Sequence, residues 1–498
     1  MEEEKKPASS SLKWMVLLTV IVGTFLGRLD QTIVNLALPK MIDDFGVSVS
    51  TAGWIATAYI LANAIFVPVW GKLGDTIGRK KVYIIGFVVF IFGSVLAGCA
   101  WNFSSMIAFR VIQAIAGSAD YPTAMAILSV TFTERKERAQ ALGIWSSAFA
   151  AASVFGPLIG GPLIDNFGWR SVFLVNLPVG IVGLLMAIKY IDESVSGRFD
   201  AKFDWWGAIT LGGALAGVVL ALDRGTDWGW LSSGLLITYA FTLICSYIFA
   251  KIEVGHPEPI IDFSFFKNSV FVNTLVNNFI VFMGMIGSMF LIPIFAETFL
   301  GYDATQTGYL FIPMAGALML GAPIGGRLID KVRPSYVIAA STFVAAIGLF
   351  MFTWLDPRST AMDIIIPLCV MAFGLGFGMS QRTSIIAATV RPDEIGVASS
   401  ILALVRNISG AFGIAIFGSL LDYFINNNIF TITKNSILNL TTSAQYSQAY
   451  GLISLKAQIG GYSSVFLVSA ILVFVGAISA FFIKVESHQM GKHEVFVE

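Results

Sequence analysis

Long apolar runs recur along this chain from its beginning to its end. A helix needs about 20 predominantly apolar residues to cross about 30 Å of hydrocarbon. Fourteen such runs predict fourteen membrane spans, approximately at residues 12–38, 53–70, 82–100, 104–130, 139–164, 171–190, 206–222, 231–250, 270–297, 305–325, 335–354, 364–388, 396–424 and 463–484. Only 12% of the residues are charged, which is about half the share in a soluble domain. The sequence therefore predicts an all-α integral membrane protein.

The basic residues predict how these spans are oriented. Of the 31 Lys and Arg, 21 fall on the side that carries the N-terminus, 6 on the other side and 4 within spans. Cytoplasmic loops carry an excess of Lys and Arg, so we predict a multi-pass protein of the plasma (inner) membrane with both termini cytoplasmic. The first span has no small-residue cleavage site after a short apolar core, and we expect it to be retained. The zero formal net charge gives no reason to expect nucleic-acid binding.

Two segments repeat at a nearly constant distance along the chain. The segment 71–81 after span 2 shares its glycine and aspartate spacing with the segment 326–333 after span 10, at an offset of 255 residues. Gly156 and Gly161 of span 5 recur as Gly413 and Gly418 of span 13, at an offset of 257. Spans 1–6 therefore resemble spans 9–14.

The repeat predicts three parts. Residues 1–190 form an N-terminal half of six helices, and residues 191–269 hold two inserted membrane helices with their inner linkers. Residues 270–498 form the second six-helix half, with a long outer loop at 425–462. Duplicated six-helix halves are typical of transporters whose substrate site lies between the halves near the middle of the membrane.

Three segments carry a resemblance to a known family. The glycine-rich and charged segment 71–81 resembles the signature between helices 2 and 3 of the major facilitator superfamily. Residues 156–161 (Gly-Pro-Leu-Ile-Gly-Gly) resemble the antiporter motif of its drug exporters, and residues 29–39 are similar to span 1 of its fourteen-helix drug:proton antiporters. The resemblance implies the major facilitator fold and proton-coupled export by alternating access.

Charged residues within spans are the strongest candidates for function, because each costs at least a few kcal/mol at a helix centre unless it is paired or hydrated. Counting about 1.5 Å per residue from the span centres places Asp30 and Arg110 at compatible depths, which predicts an ion pair; Gln113 lies one turn from Arg110. No basic residue of span 1 shares the predicted depth of Asp120. We therefore expect Asp120 to exchange the proton, since desolvation favours the neutral carboxyl. In the simpler alternatives the pair only joins two helices, and water or hydroxyls satisfy Asp120.

Two glycine motifs are candidate conformational elements. We expect Gly71, Asp75, Gly78 and Arg79 to form a latch at the cytoplasmic interface; the alternative is an ordinary positively charged inner loop. Four small residues of span 5 are expected to seal the outer side, because proline removes a backbone hydrogen bond and glycine permits close helix approach. They are Gly156, Pro157, Gly160 and Gly161. Their alternative role is helix packing alone.

Polarizable and aromatic faces of spans 9 and 12 predict a loosely specific pocket. Its candidate residues are Asn277, Met285, Phe373 and Phe377. Stripes of this kind also occur where helices face lipid or pack against each other.

These features predict a proton-coupled multidrug exporter of hydrophobic, cationic or amphipathic compounds. One alternative is an exporter of a native metabolite or lipid precursor with the same fold. Another is a membrane enzyme, but the sequence contains no GxSxG, HExxH or CxxC motif and no Gly-Lys-[Ser/Thr] phosphate loop, and we expect neither enzymatic activity nor a cofactor or metal. The expected partners are a small-molecule substrate, protons and the lipid bilayer, and we expect the chain to act as a monomer.

Overall fold

The computed structural model describes residues 10–132, 134–194, 204–256, 261, 263–328, 332–390, 395–435 and 442–483. Its helices are α1 (Ser10–Phe45), α2 (Val49–Ile77), α3 (Arg79–Gly98), α4 (Phe103–Gly117), α5 (Asp120–Thr131), α6 (Arg135–Phe167), α7 (Ser171–Leu174), α8 (Asn176–Tyr190), α9 (Trp205–Trp228), α10 (Ser233–Gly255), α11 (Ser269–Leu300), α12 (Ala304–Gly326), α13 (Pro334–Met351), α14 (Ala361–Ala388), α15 (Ile395–Asn435) and α16 (Ser443–Ser479).

Each of the fourteen predicted spans corresponds to one helix or to one interrupted helix. Span 4 is divided into α4 and α5, and span 6 into α7 and α8. Within the described ranges, eleven spans are long and apolar enough to cross a membrane. The other three predicted spans are the interrupted pair α4–α5 and the helices α6 and α12. The predicted all-α fold of fourteen spans is confirmed.

The helices form two six-span halves and an inserted pair. Helices α1–α8 make the first half and α11–α16 the second, while α9 and α10 pack together and α9 contacts α2 and α15. The halves meet mainly through α2 against α15 and α6 against α12. We call the end of the bundle that carries Gly78 and Glu134 the inner end, after the predicted orientation, and the opposite end the outer end.

Buried apolar side chains are distributed unevenly between these two ends. The largest cluster joins both halves at the outer end, with Leu38 and Ala52 from the first half and Phe295 and Leu421 from the second. At the inner end, the apolar clusters of the described residues each belong to a single half. The two halves are therefore packed together at the outer end.

Two predicted loops are largely helical. In the predicted outer loop 425–462, α15 continues to Asn435 and α16 starts at Ser443. The polar residues there pair the two helices, as where the Asn428 side chain donates to the Ala457 carbonyl at 3.2 Å. Similarly, α2 continues through the predicted loop 71–81 as far as Ile77. Only Gly78 separates α2 from α3, at a φ of +114° that residues other than glycine rarely adopt.

The orientation can be tested with single cysteines at exposed positions on opposite ends of the bundle. In a background without Cys99, Cys245 and Cys369, we expect Lys81→Cys to react with a membrane-impermeant thiol reagent only from the cytoplasm. Arg358→Cys, in the turn before α14, should react only from outside. The reverse pattern would show that the charge asymmetry has been assigned to the wrong side.

Candidate functional site

Asp30 lies at the centre of a buried hydrogen-bond network in the first half. Its carboxylate accepts from Arg110 Nη1 at 2.7 Å, from Gln113 Nε2 at 2.8 Å and from Asn176 Nδ2 at 2.7 Å. Gln113 also donates to the Ser94 hydroxyl at 2.6 Å and accepts from Arg110. These polar groups come from four different spans, so the network joins α1, α3, α4 and α8.

Arg110 is enclosed as well as paired. Its guanidinium lies 4.1 Å from the centre of the Tyr59 ring, and the residue is 1% exposed. An opposite charge, several hydrogen bonds and an aromatic face together offset the cost of burying it. The structure thus contains the ion pair predicted between Asp30 and Arg110, in surroundings that leave the Asp30 carboxylate well satisfied.

Asp120 has a different environment. It is the first residue of α5, directly after the interruption that divides span 4. Its Oδ2 accepts from the Thr24 hydroxyl at 2.7 Å, and Thr24 accepts in turn from Trp145 Nε1 at 2.8 Å. Its Oδ1 is buried, with no hydrogen-bond partner in the described part of the chain. Asp120 borders two small cavities, each of about 30 Å³.

One expectation about Asp120 is corrected by the structure. Arg28 of span 1 lines one of the cavities that Asp120 borders. Counting residues from the span centres had placed no basic residue of span 1 at the depth of Asp120. The depth count considered backbone positions only. Thr24 is the α1 residue level with Asp120, and Arg28 lies one helical turn of about 5.4 Å further along. A long arginine side chain covers that distance. Arg28 Nη1 also donates to Gln31 at 2.7 Å.

The antiporter-motif glycines lie where α6 passes between α1 and α12. A methyl group built on Gly160 would collide with Ile33 of α1, and one on Gly161 would lie 2.7 Å from the Ala304 carbonyl of α12. A methyl on Gly308 of α12 would collide with the Pro157 carbonyl. Small residues therefore permit direct backbone contact between the halves at the outer end.

The glycine repeat has matching contacts in the two halves. Gly156 lies against Thr32 of α1, and its counterpart Gly413 lies against Met283 of α11. Likewise, Gly161 faces α12 and its counterpart Gly418 faces Ser50 of α2. In each half, one glycine of the repeat (Gly156 or Gly413) therefore contacts a helix of its own half, and the other (Gly161 or Gly418) contacts a helix of the opposite half.

A carboxylate that the sequence analysis missed connects the halves at the same end. Asp165, near the end of α6, accepts from the backbone N–H groups of Ala304 and Thr305 at 3.1 and 2.8 Å, and from the Thr305 hydroxyl at 2.5 Å. It therefore caps the N-terminus of a helix in the opposite half. The sequence analysis missed it because it lies at the end of a span, where a single charged residue is common and carries no signal of its partner.

The predicted inner latch is only partly described. The surroundings of Gly71 and the Asp75 side chain lie outside the described residues. A methyl on Gly78 would collide with the Glu193 carboxylate, which accepts from Lys80 N at 3.1 Å. Arg79 N donates to the Ser194 carbonyl at 3.0 Å. These contacts join the segment to the end of α8 in the same half, and a latch between the halves stays a prediction.

The four predicted pocket residues lie in different surroundings. Asn277 is fully buried; its side chain donates to the Gly476 carbonyl at 2.7 Å and accepts from Arg382 at 2.9 Å. Phe373 and Phe377 stack with their centroids 6.0 Å apart. Met285 packs against the outer-end cluster. The residues that border the cavities come from the first half instead.

In the described part of the second half, buried cations have no ion-pair partner that corresponds to Asp30. Arg382 is 1% exposed, and its Nη2 donates to Thr342 at 2.7 Å. Arg406 lies 5.2 Å from the centre of the Phe282 ring. Among the described residues, neither arginine forms an ion pair with a carboxylate.

A many-span bundle of two related halves, with polar groups and small cavities buried inside it, is the architecture of a membrane transporter. The sequence matches the Major Facilitator Superfamily over residues 20–414. The chain is 32% identical over 421 residues to the multidrug transporter protein MdtP of Bacillus subtilis, covering 84% of this chain and 77% of that protein. It is 30% identical over 458 residues to the riboflavin transporter RibZ of Clostridioides difficile, covering 91% and 97%.

The fold agrees with these sequence relations. A solved structure of a bacterial homologue of the human lysosomal transporter Spinster, inward-facing and unoccupied, superposes with a TM-score of 0.70 at 17% identity, covering 96% of this chain and 100% of that one. The chain belongs to the Major Facilitator Superfamily, a family of transporters, and multidrug transporters are among its relatives. The predicted family is confirmed.

Loss of the Asp30 charge should destabilise the protein. Asp30→Asn leaves Arg110 buried without its carboxylate, and removing one member of a buried ion pair costs about 3–5 kcal/mol. We expect a clearly lower melting temperature in detergent and lower expression. The matched control is Asp44→Asn, whose ion pair with Arg170 is half-exposed at 3.3 Å and should contribute about 0–1 kcal/mol. Equal melting temperatures for the two variants would contradict a structural role for the buried pair.

Loss of the Asp165 cap should open the outer end. Replacing a capping side chain by alanine costs about 0.5–2 kcal/mol. If the cap forms only while the outer end is closed, Asp165→Ala should raise the accessibility of the interior from outside about 2- to 30-fold. The measurement is the labelling rate of a cysteine placed at Thr383, an exposed residue beside Arg406, by an impermeant reagent added outside.

Asp303→Ala is the control for this experiment. Asp303 accepts from Gln306 N at 2.6 Å and so caps the same helix, but from within its own half. If both variants accelerate labelling equally, the outer end opens because α12 is less stable, and the contact between the halves has no role of its own.

Proposed function

We propose that this protein is a proton-coupled exporter of hydrophobic, cationic or amphipathic compounds. It acts as a monomer in the cell membrane, with both termini cytoplasmic. The observation that carries the proposal is the environment of Asp120, a carboxyl within a span that borders two cavities and has one oxygen without a hydrogen-bond partner among the described residues. The multidrug transporters among its relatives support export of foreign compounds.

Proton coupling follows from competition for one carboxyl. A compound with a positive charge favours the ionised form of Asp120, so its binding expels the proton. After the compound leaves, a proton from outside neutralises the carboxyl again. Arg28, which lines the same cavity, offers a positive charge close to the carboxylate between these two steps.

Aromatic side chains beside Asp120 suit such a compound. The Tyr121 and Trp145 rings lie 5.3 Å apart, and Tyr121 is 43% exposed. Aromatic faces attract cations and provide apolar contact area. A carboxylate next to two aromatic rings is suited to a flat lipophilic cation.

The outer contacts supply the conformational part of the proposal. Asp165, Gly161 and Gly308 hold the halves together at the outer end, where the largest apolar cluster crosses between them. We propose that these contacts break when the halves rock and the site opens outward, and that the segment 71–81 latches the inner side in that state. In this proposal the antiporter motif is part of the outer seal.

A second candidate function is export of a native metabolite. Its support is the similarity to the riboflavin transporter RibZ, which extends over 97% of that protein. The two candidates differ only in the compound that binds. Proteoliposomes screened with lipophilic cations, neutral amphipaths and riboflavin distinguish them: proton release with cations supports the first candidate, and release with riboflavin alone supports the second.

The role of Asp120 is tested by one substitution. Asp120→Asn should remain folded, because the amide still accepts from Thr24, but it should release no proton when a lipophilic cation binds. The measurement is proton release from purified protein in weakly buffered solution. The control Asp192→Asn removes an exposed carboxyl at the inner end and should release protons as the wild type does.

Two results would change this assignment. Normal proton release from Asp120→Asn would exclude Asp120 as the coupling group. Loss of release only in a well-folded Asp30→Asn variant would move the coupling group to the buried network of Asp30.

A further inference from the structure

In the described part of the chain, two buried oxygen atoms next to Gly23 have no hydrogen-bond partner of good geometry. They are Asp120 Oδ1 and the hydroxyl oxygen of Tyr83, whose residue is only 2% exposed. Both face the backbone of Gly23 on α1: a methyl group built there would collide with the Tyr83 hydroxyl and lie 3.0 Å from Asp120 Oδ1. A hydroxyl and a carboxyl oxygen from different spans thus point at one small space.

That space is a cavity of about 30 Å³, lined by Gly23, Gly86, Phe87, Tyr83 and Asp120 among others. A cavity needs about 10–15 Å³ to hold one water molecule, and the water needs two to four polar partners. The cavity meets the first requirement, and the two unpartnered oxygens meet the second. The rest of the lining is largely apolar, so a water molecule there would have its hydrogen bonds directed to these two atoms.

We propose that this cavity is a site for one water or hydronium molecule, bound between Tyr83 and Asp120, through which the proton reaches Asp120. The proposal rests on the proposed function and extends it by naming the water molecule that passes the proton to Asp120. Thr24 occupies the other carboxylate oxygen at 2.7 Å, so Oδ1 is the atom that takes the proton. Tyr83 is a positioning residue, because it holds the water against that atom.

Gly23 keeps the site open. A Cβ at this position would collide with the Tyr83 hydroxyl and lie 3.0 Å from Asp120 Oδ1, so any larger residue would displace the two oxygens, whereas glycine leaves them at the border of the cavity. At Gly316, within α12 of the other half, a methyl would meet no atom within 4 Å, and this residue borders neither cavity. The two glycines therefore provide a matched pair of substitutions within membrane helices.

The test compares Gly23→Ala with Gly316→Ala in the purified full-length protein, with a lipophilic cation as the probe. We expect Gly23→Ala to lower proton release per bound cation at least about fivefold while changing cation affinity less than about threefold. Gly316→Ala should keep both within about twofold of the wild type. Normal release from Gly23→Ala, or equal loss in both variants, would overturn the proposal.

Tyr83→Phe covers the case in which Gly23→Ala does not fold, since it removes one oxygen and adds no atom. It should change the pH at which half of the proton release occurs by at least about half a unit, with cation affinity unchanged within about twofold. An unchanged pH profile would overturn the role of Tyr83.

Infrared difference spectroscopy observes the water directly. The wild type should show an O–H stretching band that shifts in heavy-oxygen water and is absent from Gly23→Ala; a wild-type spectrum without that band would exclude the bound water. Failure of the proposed function is distinguishable, because a wild type that releases no proton with any compound refutes proton coupling itself. A wild type that releases protons and lacks the water band refutes only the water site.

Discussion

A charge buried within the membrane must be neutralised or hydrated, and the way in which each one is satisfied organises this protein. An unsatisfied charge at the centre of a span costs at least a few kcal/mol. Asp30 and Arg110 meet the requirement completely, with an ion pair, amide donors and an aromatic face. Among the described residues, only one oxygen of the Asp120 carboxyl has a hydrogen-bond partner. A carboxylate as well paired as Asp30 has little to gain by exchanging a proton, and for this reason we propose the less satisfied carboxyl as the exchanging group.

The contacts between the halves follow from a second constraint. Lipid is as apolar as the helices, so close packing and hydrogen bonds rather than hydrophobic burial hold membrane helices together. Gly161 and Gly418 provide the close packing at the outer end, at corresponding positions of the repeat. Asp165 adds hydrogen bonds to a helix N-terminus, where a carboxylate is also favoured by the helix dipole. Such contacts are few and local, which suits an interface that opens and closes.

The sequence predicted the features that depend on composition along a single span. The number of spans, the repeat and the Asp30–Arg110 contact follow from apolar length, glycine spacing and the rarity of charges in lipid. Contacts that depend on helix rotation or side-chain reach could not be predicted in this way. Arg28 reaches the Asp120 cavity because its side chain is long, and Asn277 faces Arg382 rather than a cavity because of how α11 is turned. Within the predicted outer loop 425–462, α15 continues to Asn435 and α16 starts at Ser443, which polar composition alone does not reveal because two packed helices accommodate polar residues.

The central claim is that a proton and the transported compound compete for one carboxyl, and the pH dependence of compound binding tests it most directly. Equilibrium affinity of the wild type for a lipophilic cation should be measured across a range of pH values in detergent or lipid nanodiscs. Competition predicts that affinity falls as the pH is lowered, by up to about tenfold per pH unit, the limit for exchange of one proton. An affinity independent of pH, or one that rises as the pH is lowered, would contradict the account.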